Sequence, residues 1–116
     1  MLVNAMLAQS MVVFAESLLL GEKLGLEKSF LLDFLPALPV IAPFTQAKAG
    51  MIREGAYPVQ FPLEHMQKDL HLAAQTAYEI GQPLYLANLA KELYAAAKAD
   101  GLARADFAAI YQYLAK

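Results

Sequence analysis

MLVNAMLAQSMVVFAESLLLGEKL, residues 1–24, is the stretch whose reading decides the fold. Set at about 100° per residue, its large apolar side chains (Leu2, Val3, Met6, Leu7, Met11, Val12, Val13, Phe14, Leu18, Leu19, Leu20) point in every direction. A helix that is apolar all round is normally a buried one. Asn4, Gln9, Ser10, Glu16 and Ser17 are scattered among these residues and do not gather on a solvent face. Something must therefore surround the segment, either the other helices of this chain or a second chain, and the segment reads as the central post of a helical domain. It begins with no capping residue and no polar lead-in, which raises the expectation that the chain is part of something larger.

A chain of 116 residues is one domain by size, with room for one core. Hydrophobic residues make up 59% of it and charged residues 17%. That is a surplus of apolar groups for so small a surface, and it implies that some face a partner. The first twenty residues are nearly long enough to span a bilayer, but Glu16, Asn4, Gln9 and Ser10 interrupt them. No basic residue precedes Lys23, as a secretory signal would require, so neither a membrane span nor an export signal is expected. A net charge of −2 without a basic run argues against nucleic acid. The absence of cysteine removes thiolate chemistry and suits the cytoplasm. His65 and His71 stand about 120° apart on a helix, a poor spacing for a shared metal, so no metal site is expected.

The rest of the chain reads as further helices. Gly25 follows the first helix where a left-handed glycine belongs, so that helix ends near Leu24. Leu26–Leu35 is a short amphipathic helix with Phe30, Leu31, Phe34 and Leu35 on its inner face, stopped by Pro36 and Pro39. Pro43 can open a third helix carrying Phe44, Ala47, Met51 and Ile52, which stops at Gly55. After a connection over 56–60, Pro62 starts a fourth helix that ends at Gly81, with Leu63, Met66, Leu70, Ala73, Ala74 and Ala77 on one arc. Pro83 opens a fifth, with Leu86, Leu89, Ala90, Leu93 and Ala97 inward, closed by Asp100-Gly101. The last helix runs from about Arg104 to Leu114, with Phe107, Ile110, Tyr111 and Leu114 on one arc. No strand-like alternation appears. The sequence predicts an all-α, single six-helix domain built around the long N-terminal helix.

No motif announces a reaction by itself. Lys68-Asp69 could place a lysine for proton donation or for a cofactor hydroxyl, while Glu64, four residues earlier, offers Lys68 an ordinary helical ion pair. Asn4 is an amide on an apolar helix, and a buried amide without partners costs about 1–3 kcal/mol; it either bonds the protein or binds something. Phe61, just before Pro62, reads first as a hydrophobic staple for the fourth helix.

Taken together, the LVNAML start, the Lys23-Leu24-Gly25-Leu26 helix end, the run Phe61-Pro62-Leu63-Glu64-His65-Met66-Gln67-Lys68-Asp69-Leu70 and the tail Asp106-Phe107-Ala108-Ala109-Ile110 resemble one family. They are similar to the C-terminal helical domain of the β-hydroxyacid dehydrogenases, which include 3-hydroxyisobutyrate dehydrogenase and the glyoxylate or succinic semialdehyde reductases. That fold is shared with the C-terminal domain of 6-phosphogluconate dehydrogenase. The resemblance implies that residues 1–116 are the substrate-binding and dimerisation domain and that an N-terminal Rossmann domain, absent from these residues, binds NAD or NADP. It implies substrate binding by Asn4 and cofactor contacts by Lys68 and Phe61. The family's catalytic lysine falls on Met1 and its second asparagine on Ala5, so no catalytic residue is intact. The expected partners are the Rossmann domain, a second copy of the chain and a small hydroxy-acid or aldehyde-acid substrate. The chain alone is expected to bind no cofactor tightly and to be catalytically silent. The competing expectation is an autonomous all-α interaction or dimerisation module.

Overall fold

The computed structural model describes residues 1–116 and contains six α-helices and no strand. They are α1 (Leu2–Lys23), α2 (Lys28–Phe34), α3 (Thr45–Glu54), α4 (Leu63–Ile80), α5 (Tyr85–Ala97) and α6 (Ile110–Leu114). Gly25, Gly55, Gly81 and Gly101 all have positive φ, so each helix end expected at a glycine lies where the left-handed conformation can be adopted without a Cβ penalty. Helix α1 lies against α2, α4, α5 and α6, and α4 and α5 form the most extensive helix pair. The all-α, six-helix architecture built on the N-terminal helix is as the sequence predicts.

The core is a stripe of α1 (Ala8, Met11, Phe14, Ala15, Leu18) covered by Leu63, Met66 and Leu70 of α4, Ala90, Tyr94 and Ala97 of α5, Ile52 of α3 and the run Phe107–Tyr111. That stripe of α1 is fully covered by the chain's own helices, and Ala5, Leu7, Val12 and Leu19 are partly covered. Leu2, Val3, Met6, Val13 and Leu20 remain exposed, so the chain's own helices surround only part of the all-apolar helix.

Two faces differ from expectation. On α2, Leu31 and Leu32 are buried whereas Phe30 and Phe34 are about half exposed and stack on each other at 5.2 Å. The inner face of this short helix is set by where α1 can receive it. Gly21 is that place, a glycine whose missing Cβ would lie 2.7 Å from Leu31 Cδ1. On α5, Ala87, Ala90, Tyr94 and Ala97 are buried whereas Leu86 and Leu89 are exposed. The facing buried residues of α4 at this end are Ala73 and Ala77, so small side chains let the two helices approach closely and the leucines are turned outward.

The helix starts also shift. Pro43 lies in a tight turn that winds into α3 at Thr45, and Ala47 is exposed whereas Lys48 is buried. Pro83 precedes α5 by two residues. The last helix begins at Ile110 and not at Arg104, and a 3₁₀ turn over Phe107–Ala109 leads into it, capped by the Asp106 carboxylate, which accepts from Ala108 N at 3.1 Å.

Candidate functional site

Asn4 sits in the first turn of α1, half-buried, and its Nδ2 donates to Asp69 Oδ2 at 2.6 Å. A carboxylate only accepts, so it fixes which way the amide faces: nitrogen toward Asp69 and Oδ1 away from it. No protein group donates to that Oδ1, which leaves it as an outward-facing acceptor. The partner demanded by an amide on an apolar helix is thus the carboxylate beside Lys68.

Lys68 is exposed and has no carboxylate within 4.0 Å. The helical pair with Glu64 does not form; Glu64 lies instead 4.0 Å from His65 Nε2. Adjacent residues on a helix do not face each other, so Asp69 turns to Asn4 and the Lys68 ammonium stays free. Phe61, half-buried just ahead of α4, meets Phe107 edge-on at 6.3 Å and His65 at 6.2 Å between centroids. The contact is with His65, the third residue of α4, whereas a hydrophobic staple pairs the residue before the cap with the fourth, here Met66; the exposed remainder of the ring is available to something else.

Phe61 just ahead of α4, then Lys68 and the Asn4–Asp69 pair in its first half, therefore follow one another, with residues 63–69 spanning on the order of 9 Å at 1.5 Å rise per residue. Together they offer an aromatic face, a free cation and an oriented acceptor. Met1, three residues ahead of Asn4 at the start of α1, is 56% exposed at the rim of an apolar groove of about 230 Å³ between α1, α4 and α5 that also takes in Leu2, Ala5, Ala73, Ile80 and Leu84. No cluster of His, Cys, Asp or Glu suited to a metal ion occurs, and His65 and His71 are both exposed.

The residues present suit one end of a dinucleotide. An aromatic face and a cation fit a nicotinamide and its ribose, whereas the glycine-rich strand-to-helix turn that holds a pyrophosphate is not among these residues.

A second polar cluster was not legible as a site. Asp106 is fully buried; its Oδ1 accepts from Gln60 N and Phe61 N at 3.0 Å each, and its Oδ2 from Lys48 Nζ at 2.9 Å and Ala108 N. Burial pushes the Asp106 carboxyl up, but the Lys48 hydrogen bond and the amides of Phe61, Ala108 and Gln60 outweigh it and hold it below the ordinary carboxylate value. The helix-capping preference of aspartate could have marked Asp106; nothing in the alanine-rich surroundings of Lys48 marks it as buried.

The profile of the family described as NAD-binding of NADP-dependent 3-hydroxyisobutyrate dehydrogenase matches residues 1–114. Glyoxylate/succinic semialdehyde reductase 2, chloroplastic, of Arabidopsis thaliana is 36% identical over 114 residues, covering 98% of this chain. The chain spans 32% of that relative's length, about a third. The cytokine-like nuclear factor N-PAC of Aedes aegypti is 35% identical over 97 residues, 84% of this chain and 17% of that protein. Among solved structures, the 3-hydroxyisobutyrate dehydrogenase of Mycobacterium tuberculosis superposes with a TM-score of 0.85 at 26% identity, over 97% of this chain and 41% of that one. The chain accordingly belongs, as a helical domain, to the β-hydroxyacid dehydrogenase family.

Proposed function

We propose that this chain is the helical domain of an NAD(P)-dependent β-hydroxyacid dehydrogenase or reductase, which closes one wall of a substrate and cofactor cleft and carries the subunit interface. The observation that carries the reading is the Asn4–Asp69 bond beside the unpaired Lys68. Asp69 holds the Asn4 amide so that Oδ1 can accept from the hydroxyl of a hydroxy acid, with the second Nδ2 hydrogen available to a carbonyl or carboxylate oxygen. Lys68 supplies positive charge to the cofactor ribose or to an acid substrate, and Phe61 supplies an apolar wall for a flat ring. A bound nicotinamide cofactor contributes the hydride chemistry; these residues bind and orient. The group that moves the proton, a lysine in the family, has Met1 at its place here, and the pyrophosphate site belongs to an N-terminal dinucleotide-binding domain.

The isolated 116 residues are therefore expected to show no NAD(P)-dependent turnover, and turnover from the purified chain contradicts the reading. Joining the chain to the dinucleotide-binding domain of a relative, with lysine restored at position 1, is expected to give reductase activity that Asn4→Ala lowers strongly.

The same reading assigns the uncovered face of α1 and α5 to self-association. Val13, Leu86 and Leu89 are exposed there, flanking half-buried Val12 and Leu93, and two-fold pairing is the commonest closure for such a face. Glu16 on the rim of this face suits a protein partner better than a lipid one. A second reading, an interaction module without catalysis, is favoured by that same apolar face and by the relative named as a nuclear factor. It predicts self-association with no response to a dinucleotide-binding domain or to NAD(P)H.

A further inference from the structure

The segment that carries Phe61 has no regular secondary structure, yet its backbone is held on both sides of residue 61. Asp106 Oδ1 accepts from two consecutive amides, Gln60 N and Phe61 N, at 3.0 Å each, and Phe61 O accepts from Phe107 N at 2.9 Å. The Gln60 side chain is also tied, its Oε1 accepting from Lys48 Nζ at 3.2 Å. Lys48 closes the arrangement from the other side, 2.9 Å from Asp106 Oδ2 and 4.6 Å above the Phe107 ring, whose edge-on partner is Phe61. Both charges are out of water, with side-chain exposures of 5% and 0%.

A buried ion pair is a weak way to gain stability, because well-packed apolar residues often do as well or better. What it supplies here that an apolar filling could not is direction. One carboxylate oxygen shared by two neighbouring amides fixes the backbone at residue 61, and the cation above Phe107 fixes the ring that Phe61 leans on. We propose that Lys48 and Asp106 are positioning residues that set the backbone and ring of Phe61 and thereby shape the aromatic wall of the cofactor cleft. This rests on the reading of Phe61 as a cofactor-facing residue.

The pair is tested in two steps. Amide exchange in the chain itself compares Lys48→Met, which keeps a side-chain stem against Phe107, and Asp106→Asn, which keeps an acceptor for the amides, with Leu18→Ala, a core truncation on α1. Expected is exchange at Gln60 and Phe61 accelerated at least tenfold beyond that of core α1 amides in Lys48→Met and Asp106→Asn, and in step with them in Leu18→Ala. Exchange at 60 and 61 that only follows the rest of the molecule in Lys48→Met overturns the proposal, whether or not Asp106→Asn folds. The second step measures KM and kcat for NAD(P)H in the chain joined to a dinucleotide-binding domain with lysine restored at position 1. Lys48→Met is expected to raise KM several-fold with a smaller effect on kcat, following Phe61→Ala. A KM raised by Phe61→Ala and untouched by Lys48→Met overturns the proposal alone. A KM untouched by both overturns the cofactor reading of Phe61 and takes the proposal's functional half with it, leaving any exchange effect as a backbone property.

Discussion

Asp106→Ala would leave the Lys48 ammonium buried with Gln60 Oε1 as its remaining side-chain acceptor. Breaking a buried pair from one side costs about 3–5 kcal/mol, so urea unfolding is expected to show a loss of that order. Lys48→Met should cost less, because Asp106 keeps three backbone N–H donors. Folding lowers the Asp106 carboxyl below its ordinary 3.8, so its stabilisation is complete above about pH 4 and is lost as pH falls through the folded value. Acid unfolding followed by circular dichroism should therefore be shallower for a Lys48→Met/Asp106→Asn double variant. The alkaline side runs the other way. Burial raises Tyr94, with the Asp106 charge adding to it, and burial raises Tyr111, with the Glu22 hydrogen bond and charge adding. Stability from these phenols is present below pH ~10 and declines as pH climbs from there toward their raised values; Tyr111→Phe should reduce the alkaline loss. At this scale the sequence marked Asn4, because an amide on an apolar helix demands a partner, but could not say that the partner is Asp69. Lys48 could not be read at all, since a lysine between two alanines normally marks a solvated face, and its burial depends on a carboxylate 58 residues away.

Helix ends were legible because their signals are local: a glycine at the C-terminus and a proline near the start act within one turn. Which face turns inward was legible on α4, where every large apolar residue of the predicted arc is buried. It was misread on α2 and α5, because that choice belongs to the neighbouring helix. Leucine looks more like core than alanine, yet α5 approaches α4 through alanines and leaves Leu86 and Leu89 outside. The approach of α2 to α1 gives an element-scale prediction. Gly21→Ala gains about 1 kcal/mol in helix propensity but drives a Cβ to 2.7 Å from a buried Leu31 methyl, an overpacking of about 1–3 kcal/mol. The variant is expected to be destabilised by about 1 kcal/mol, and to lose nothing when made in a Leu31→Ala background. A double-mutant cycle by thermal unfolding reads the coupling, and additive losses would place the α1–α2 contact elsewhere.

At the scale of the whole molecule, the surplus of apolar residues was readable from composition and corresponds to a definite surface, the outer stripe of α1 with Leu86 and Leu89. Leu89→Glu should change stability by less than about 0.5 kcal/mol, as an exposed substitution, while sedimentation shows self-association weakened or abolished; an unchanged oligomer would remove this face from the interface. The proposed cleft wall was readable only through resemblance, because neither periodicity nor spacing marks Asn4, Phe61 and Lys68 as one group. The decisive measurement is a chemical-shift titration of the labelled chain with a dinucleotide-binding domain from a relative, with and without NAD(P)H. Association strengthened by the cofactor, with shifts at Asn4, Phe61 and Lys68, is the expected result. No association, or shifts confined to α2 and α6 with no cofactor dependence, would contradict the assignment of this chain as one wall of a dehydrogenase cleft.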